Sequence, residues 1–106
     1  MAWAILFLAA LFEIGWAAGL KTTDGFSRPL PTVLVAVSML ASIALLGLAS
    51  RQLPIGTAYA VWTGIGAVGV ALAGIVFFGE STSLGRLACM AMIAAGVAGL
   101  RLFSGE

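Results

Sequence analysis

Four long apolar segments with almost nothing between them constrain this chain more than any other feature. Ala2 to Leu20 is the first, and it ends at Lys21. Leu30 to Ser50 is the second, reached through Pro29 and Pro31. Ile55 to Phe78 follows Pro54, and Leu84 to Phe103 completes the set. Each holds about 20 residues or slightly more, which at ~1.5 Å rise per residue crosses a hydrocarbon core of ~30 Å. Proline suits a helix start because the first amides have no intrahelical partner. The links Lys21–Arg28, Arg51–Pro54 and Gly79–Ser83 carry nearly all the charge. Links this short make consecutive helices antiparallel neighbours. The expectation is an all-α, four-transmembrane-helix bundle forming a single membrane domain over residues 1–106, with helices at about 2–20, 30–50, 55–78 and 84–103. The first segment lacks a basic flank and contains a glutamate, so it reads as a span and not as a cleaved signal.

Composition limits the function. Sixty-two per cent of the 106 residues are apolar and 8% are charged, too few to cover a water-facing surface. A soluble domain carries roughly 25% charged residues. A net charge of +1 offers no basic patch for nucleic acid. With no histidine and only Cys89, neither a metal site nor a disulfide framework is expected within one chain. No cofactor motif and no nucleophile–base pair is visible, so an enzyme has almost no support. Any activity must take place inside the bilayer or at its faces, with lipid, a small solute or another helix as partner.

Glu13 stands out against this background. It lies two residues from the midpoint of the first segment. A charge at mid-bilayer costs at least ~2.5–3.5 kcal/mol. Such a carboxyl is neutral when alone and anionic beside a cation, so proton and cation compete for it. Ala9, Ala10, Trp16 and Ala17 share its helical face. Tyr59, Trp62 and Gly66 form a second face on the third segment, and Ser38, Ala41 and Ser42 a weakly polar stripe on the second. Ser42 is placed to hydrogen-bond the carboxylate. An acid among aromatic rings is a cation site, because ring faces add cation–π attraction to charge. The alternative is a protonated glutamate that merely pairs helices, with the aromatics as core or interfacial belt. Trp3, at a segment end, reads as belt. Arg101 lies too far in depth to be a counter-ion for Glu13, and Glu80 and Arg86 read as loop and interface residues.

Loop cations are nearly balanced. Lys21, Arg28 and Arg86 lie on one side, Arg51 and Arg101 on the other. Orientation follows the Lys/Arg excess, so either a weak bias fixes one orientation or copies insert both ways. Gly15 and Gly19 form a GxxxG, and glycines recur in segments three and four, which allows close helix contact. Gly64 and Gly66 are candidate flexible points.

These residues resemble the small multidrug resistance transporters over essentially the whole chain. The resemblance rests on four short spans, a lone glutamate in helix one followed by Leu20-Lys21, and Gly56-Thr-Ala-Tyr-Ala-Val-Trp62. Trp16 after Glu13, the run Trp62-Thr-Gly-Ile-Gly66-Ala and Phe78-Gly-Glu80 resemble the guanidinium-exporter subtype. One departure is Ala10, where that subtype usually has glycine and the multidrug branch alanine; the extra methyl bears on pocket size and substrate range. The resemblance implies a multi-pass protein of a prokaryotic inner membrane. It implies an antiparallel, dual-topology homodimer with one pocket holding both copies of Glu13. Glu13 would bind proton and substrate, Trp16 and Ser42 would orient it by hydrogen bonds, and Tyr59 and Trp62 would line the pocket. Gly64 and Gly66 would form a bend in helix three. The implied function is proton-coupled antiport of guanidinium-type cations. A quaternary-ammonium or multidrug cation exporter is the nearest alternative, and a non-transporting structural or regulatory subunit the more distant one.

Overall fold

A computed structural model describes residues 1–103. Its four long helices are α1 (Ala2–Gly19), α2 (Pro29–Ala49), α3 (Ile55–Phe78) and α4 (Leu84–Leu102). All four are long and apolar enough to cross a membrane, and the chain is a multi-pass membrane protein with an all-α fold. A 3₁₀ turn, Leu20–Thr23, extends α1 toward the first link. The hydroxyls of Thr22 and Thr23 donate to the Gly19 and Leu20 carbonyls, at 2.6 and 2.7 Å. Those carbonyls belong to the last turn, where backbone acceptors have no helical donor.

Local chemistry accounts for the other ends. Pro29 sits in the first turn of α2, and Pro54 is the residue on which α3 starts. Gly79 ends α3 in the left-handed region, at φ 65°. Its N–H and that of Glu80 both donate to the Gly74 carbonyl, a closure that favours glycine. Ser83 caps α4, its hydroxyl oxygen accepting from the Arg86 N–H at 3.3 Å.

Helix α1 is the centre of the bundle. It packs against α2 on one side and α3 on the other, whereas the α4 backbone packs against α3 alone. The core is a seam of Leu6, Ala9 and Ala10 from α1, Leu46 and Ala49 from α2, and Ala58, Val61 and Trp62 from α3. Small residues from α1 let the three backbones come close, the usual means of helix contact in lipid. The described chain measures 43 × 34 × 16 Å. Since one helix is about 10–12 Å across, the molecule is a slab less than two helices thick.

One expectation changes. Trp3 is not an interfacial belt residue: it is 6% exposed, inside the core. The Arg101 guanidinium, reaching from the last turn of α4, lies over its ring at 4.7 Å from the centroid. This also places Arg101 at the opposite end of α1 from Lys21, away from Glu13. Helix α3 is continuous through Gly64 and Gly66. Both glycines are points of close approach, described next.

Candidate functional site

Glu13 emerges from the middle of α1 toward α3 and is partly buried. Its carboxylate lies against Gly66, where a Cβ would collide with Oε1, Cδ and Oε2. Only glycine leaves room for the acid at that crossing. One turn on, Ile14 occupies the space over Gly69 in the same way. On the opposite face of α3, Gly64 receives Val97 and Ile93 of α4. Glycines in α3 therefore seat α1 on one side and α4 on the other.

A hydrogen-bonded chain ties the three core helices together beside the acid. Trp62 Nε1–H of α3 donates to the Ser42 hydroxyl of α2 at 2.9 Å. Ser42 in turn donates to the Ala9 carbonyl of α1 at 2.7 Å. Both bonds are buried, and Ser42 is fully enclosed. Ser42 thus gives its proton to backbone and not to the carboxylate. An α-helix also directs the Glu13 N–H to the carbonyl four residues earlier, that of Ala9. Ser42 and Trp62 therefore hold the turn from which Glu13 projects. Serine placed on the acid's side of α2 was legible in the sequence; a backbone target was not, because periodicity locates side chains and says nothing of which acceptor a hydroxyl reaches.

Trp16 stands one turn after Glu13, partly buried and packed against the core. Its Nε1 and Glu13 Oε1 are buried with no hydrogen-bond partner among the described residues. No hydrogen bond joins the two within the chain. Tyr59 is exposed, and its ring meets that of Trp62 at 5.6 Å between centroids. Ala10 is fully buried in the helix seam with Ala9 and Leu6, so its methyl meets protein within this chain. Among the described residues no group of three or more His, Cys, Asp or Glu gathers to hold a metal.

Glu13, Trp16, Tyr59 and Trp62 thus belong to one region, α1 against α3, with Ser42 behind it. A carboxylate oxygen and an indole N–H, both unpaired on one helix, can receive a cationic donor and a hydrogen-bond acceptor respectively.

The profile of the Small Multidrug Resistance protein family matches residues 1–93. The guanidinium exporter of Escherichia coli O6:H1 is 56% identical over 102 residues, covering 96% of this chain and 97% of its own. The guanidinium exporter of Yersinia pseudotuberculosis is 56% identical over 104 residues, covering 98% of this chain and all of its own. That of Citrobacter freundii is 53% identical over 102 residues, covering 96% and 97%.

Proposed function

The chain belongs to the small multidrug resistance family, and from that membership we propose that it exports guanidinium-type cations in exchange for protons. It would do so across a bacterial inner membrane, as an antiparallel homodimer sharing one site. The observation that carries this reading is the Glu13 carboxylate, mid-bilayer on Gly66, with Oε1 lacking any hydrogen-bond partner among the described residues. Two such acids facing one another suit a planar guanidinium, whose N–H donors fork onto carboxylate oxygens. Trp16 Nε1–H and the Tyr59 and Trp62 rings complete the pocket. Gly64 and Gly66 let α3 adjust against its neighbours, and Ala10 bears on selectivity through the closeness of the helix seam.

Coupling needs no separate gate. Proton and cation require the same oxygens, so each excludes the other, and the dimer reorients when loaded with either. Inward proton flow then drives the cation outward. A second copy is supported by the slab shape and by α4, on which Met90 is the one buried residue. Gly96 and Gly99 on that helix have open space before them. The near-even loop cations agree with opposed insertion.

Proteoliposomes test the proposal. Guanidinium should evoke a proton-coupled current that Glu13→Gln abolishes, with substrate-induced proton release lost in parallel. A current evoked by tetraalkylammonium but not by guanidinium would favour the multidrug reading, for which the exposed Tyr59 ring beside Trp62 is the specific support. Preserved function in Glu13→Gln would make the acid a helix-pairing device.

A further inference from the structure

A second carboxylate sits on α3 in the same manner as Glu13, and the export mechanism above does not use it. A Cβ on Gly74 would collide with the Glu80 carboxylate, just as one on Gly66 would collide with that of Glu13. Gly66, Val70 and Gly74 form one i, i+4, i+8 row. Eight residues of helix place the two seats about 12 Å apart along the axis. Since α1 and α3 run in the same direction, the row leads from Glu13 at mid-bilayer to the membrane face that carries Lys21 and the third link.

The outer part of that row is open and ends one turn short of Glu13. A groove of about 330 Å³ runs from Ala17, one turn beyond Glu13, past Ala67 and Val70 to Gly74, Glu80 and Arg86. Its walls are mostly small and apolar, so it offers passage without a strong competing site. The acid at its outer end already holds a guanidinium. Arg86 Nη2 donates to Glu80 Oε1 at 2.5 Å, and Nη1 to the Ser81 carbonyl at 2.9 Å. The two side chains are 29% and 39% exposed, so the pair is reached by water and is weak enough to exchange. Lys21 is the other cation facing the mouth, its Nζ lying 5.3 Å from the Phe78 ring centroid.

We propose that Glu80 is an outer relay site for the transported cation, at which a guanidinium-type substrate exchanges with the Arg86 guanidinium before or after passing along the groove to Glu13. This rests on the export reading above. Arg86 is then an internal occupant with the same chemistry as the substrate. It neutralises Glu80 when no substrate is present and is pushed to water when one arrives. Without Glu80, Arg86 and Lys21 would leave the mouth with two unopposed positive charges, which repel a cation. In an antiparallel dimer each membrane face carries one such mouth, so uptake and release use equivalent sites.

The experiment measures guanidinium-evoked proton-coupled current in proteoliposomes for wild type, Glu80→Gln and Arg86→Gln. A partly exposed ion pair sets the scale, so the apparent KM should rise about two- to fivefold in Glu80→Gln and fall by a similar factor in Arg86→Gln. Opposite signs are the signature. A pair that only latches the α3–α4 link predicts the same sign in both variants, and that result, or no change in either, overturns the relay. Proton release at saturating guanidinium confirms that each variant retains a folded Glu13 site; if Arg86→Gln alone fails it, Arg86→Lys replaces it. Lysine cannot hold Glu80 and the Ser81 carbonyl with one planar fork and should also lower KM, whereas an unchanged or raised KM there overturns the relay. Failure of the export reading itself looks different, because wild type would then give no guanidinium current at all.

Discussion

At the scale of single residues, the site depends on two kinds of support for Glu13: a glycine that makes room and a hydroxyl that holds the backbone. Gly66→Ala brings a methyl into the carboxylate. Overpacking of this kind costs about 1–3 kcal/mol, so guanidinium affinity, measured by calorimetry in detergent, should fall about tenfold. Ser42→Ala removes the acceptor of Trp62 Nε1–H and leaves that buried group unpaired. The expected loss is about 1–3 kcal/mol of stability, read by thermal unfolding in detergent. Because Ser42 acts through the Ala9 carbonyl, this variant should still release protons on binding substrate, which a direct ligand of the carboxylate would not allow. Competition fixes the sign of the pH effect. A cation that displaces protons from Glu13 binds more weakly as pH falls, by up to about tenfold per pH unit for each proton released. A binding titration flat between roughly pH 5 and 9 would contradict the shared-oxygen mechanism.

At the scale of elements, α3 does most of the positioning, and its glycines divide the work by face. Gly66 and Gly69 receive α1, and Gly64 receives α4. Gly64→Ala pushes against Val97 Cγ2, the end of a short side chain that has little room to yield. It should destabilise the α3–α4 contact by about 1 kcal/mol or more. Adding Val97→Ala should recover most of that loss, and a double-mutant cycle by thermal unfolding measures the coupling. Helix ends were legible from proline, glycine and charge, since each acts locally: Pro29, Pro54 and Gly79 lie at the boundaries found. The first link departs from this, with the 3₁₀ turn closed by Thr22 and Thr23 hydroxyls. Periodicity does not foretell which carbonyl a threonine will reach. Trp3 was misread for a related reason, because its burial depends on how α1 meets its neighbours and not on where Trp3 stands in its own segment.

At the scale of the molecule, a slab 16 Å thick is the reason the proposed transport places a second copy across the Glu13 face. Opposed insertion is testable through charge. Two lysines added to the second link, for example at Gln52 and Ser50, give that side a clear Lys/Arg excess and should fix one orientation. Such a variant should lose guanidinium current when alone. It should regain it when co-expressed with a variant biased by lysines in the first link. Full activity of either singly biased variant would contradict the antiparallel dimer.

Glu13 was conspicuous from sequence alone, as were the membrane class, the number of spans and the family resemblance. Each follows from local quantities: segment length against bilayer thickness, the cost of a charge in hydrocarbon, and motif spacing along one chain. The tertiary structure decided what those residues touch. It seated Glu13 on Gly66, turned Ser42 from the acid to the Ala9 carbonyl, buried Trp3 under Arg101, and set Glu80 on Gly74 two turns from Glu13. Such contacts depend on how three helices cross, and a crossing depends on the side chains of all three at once.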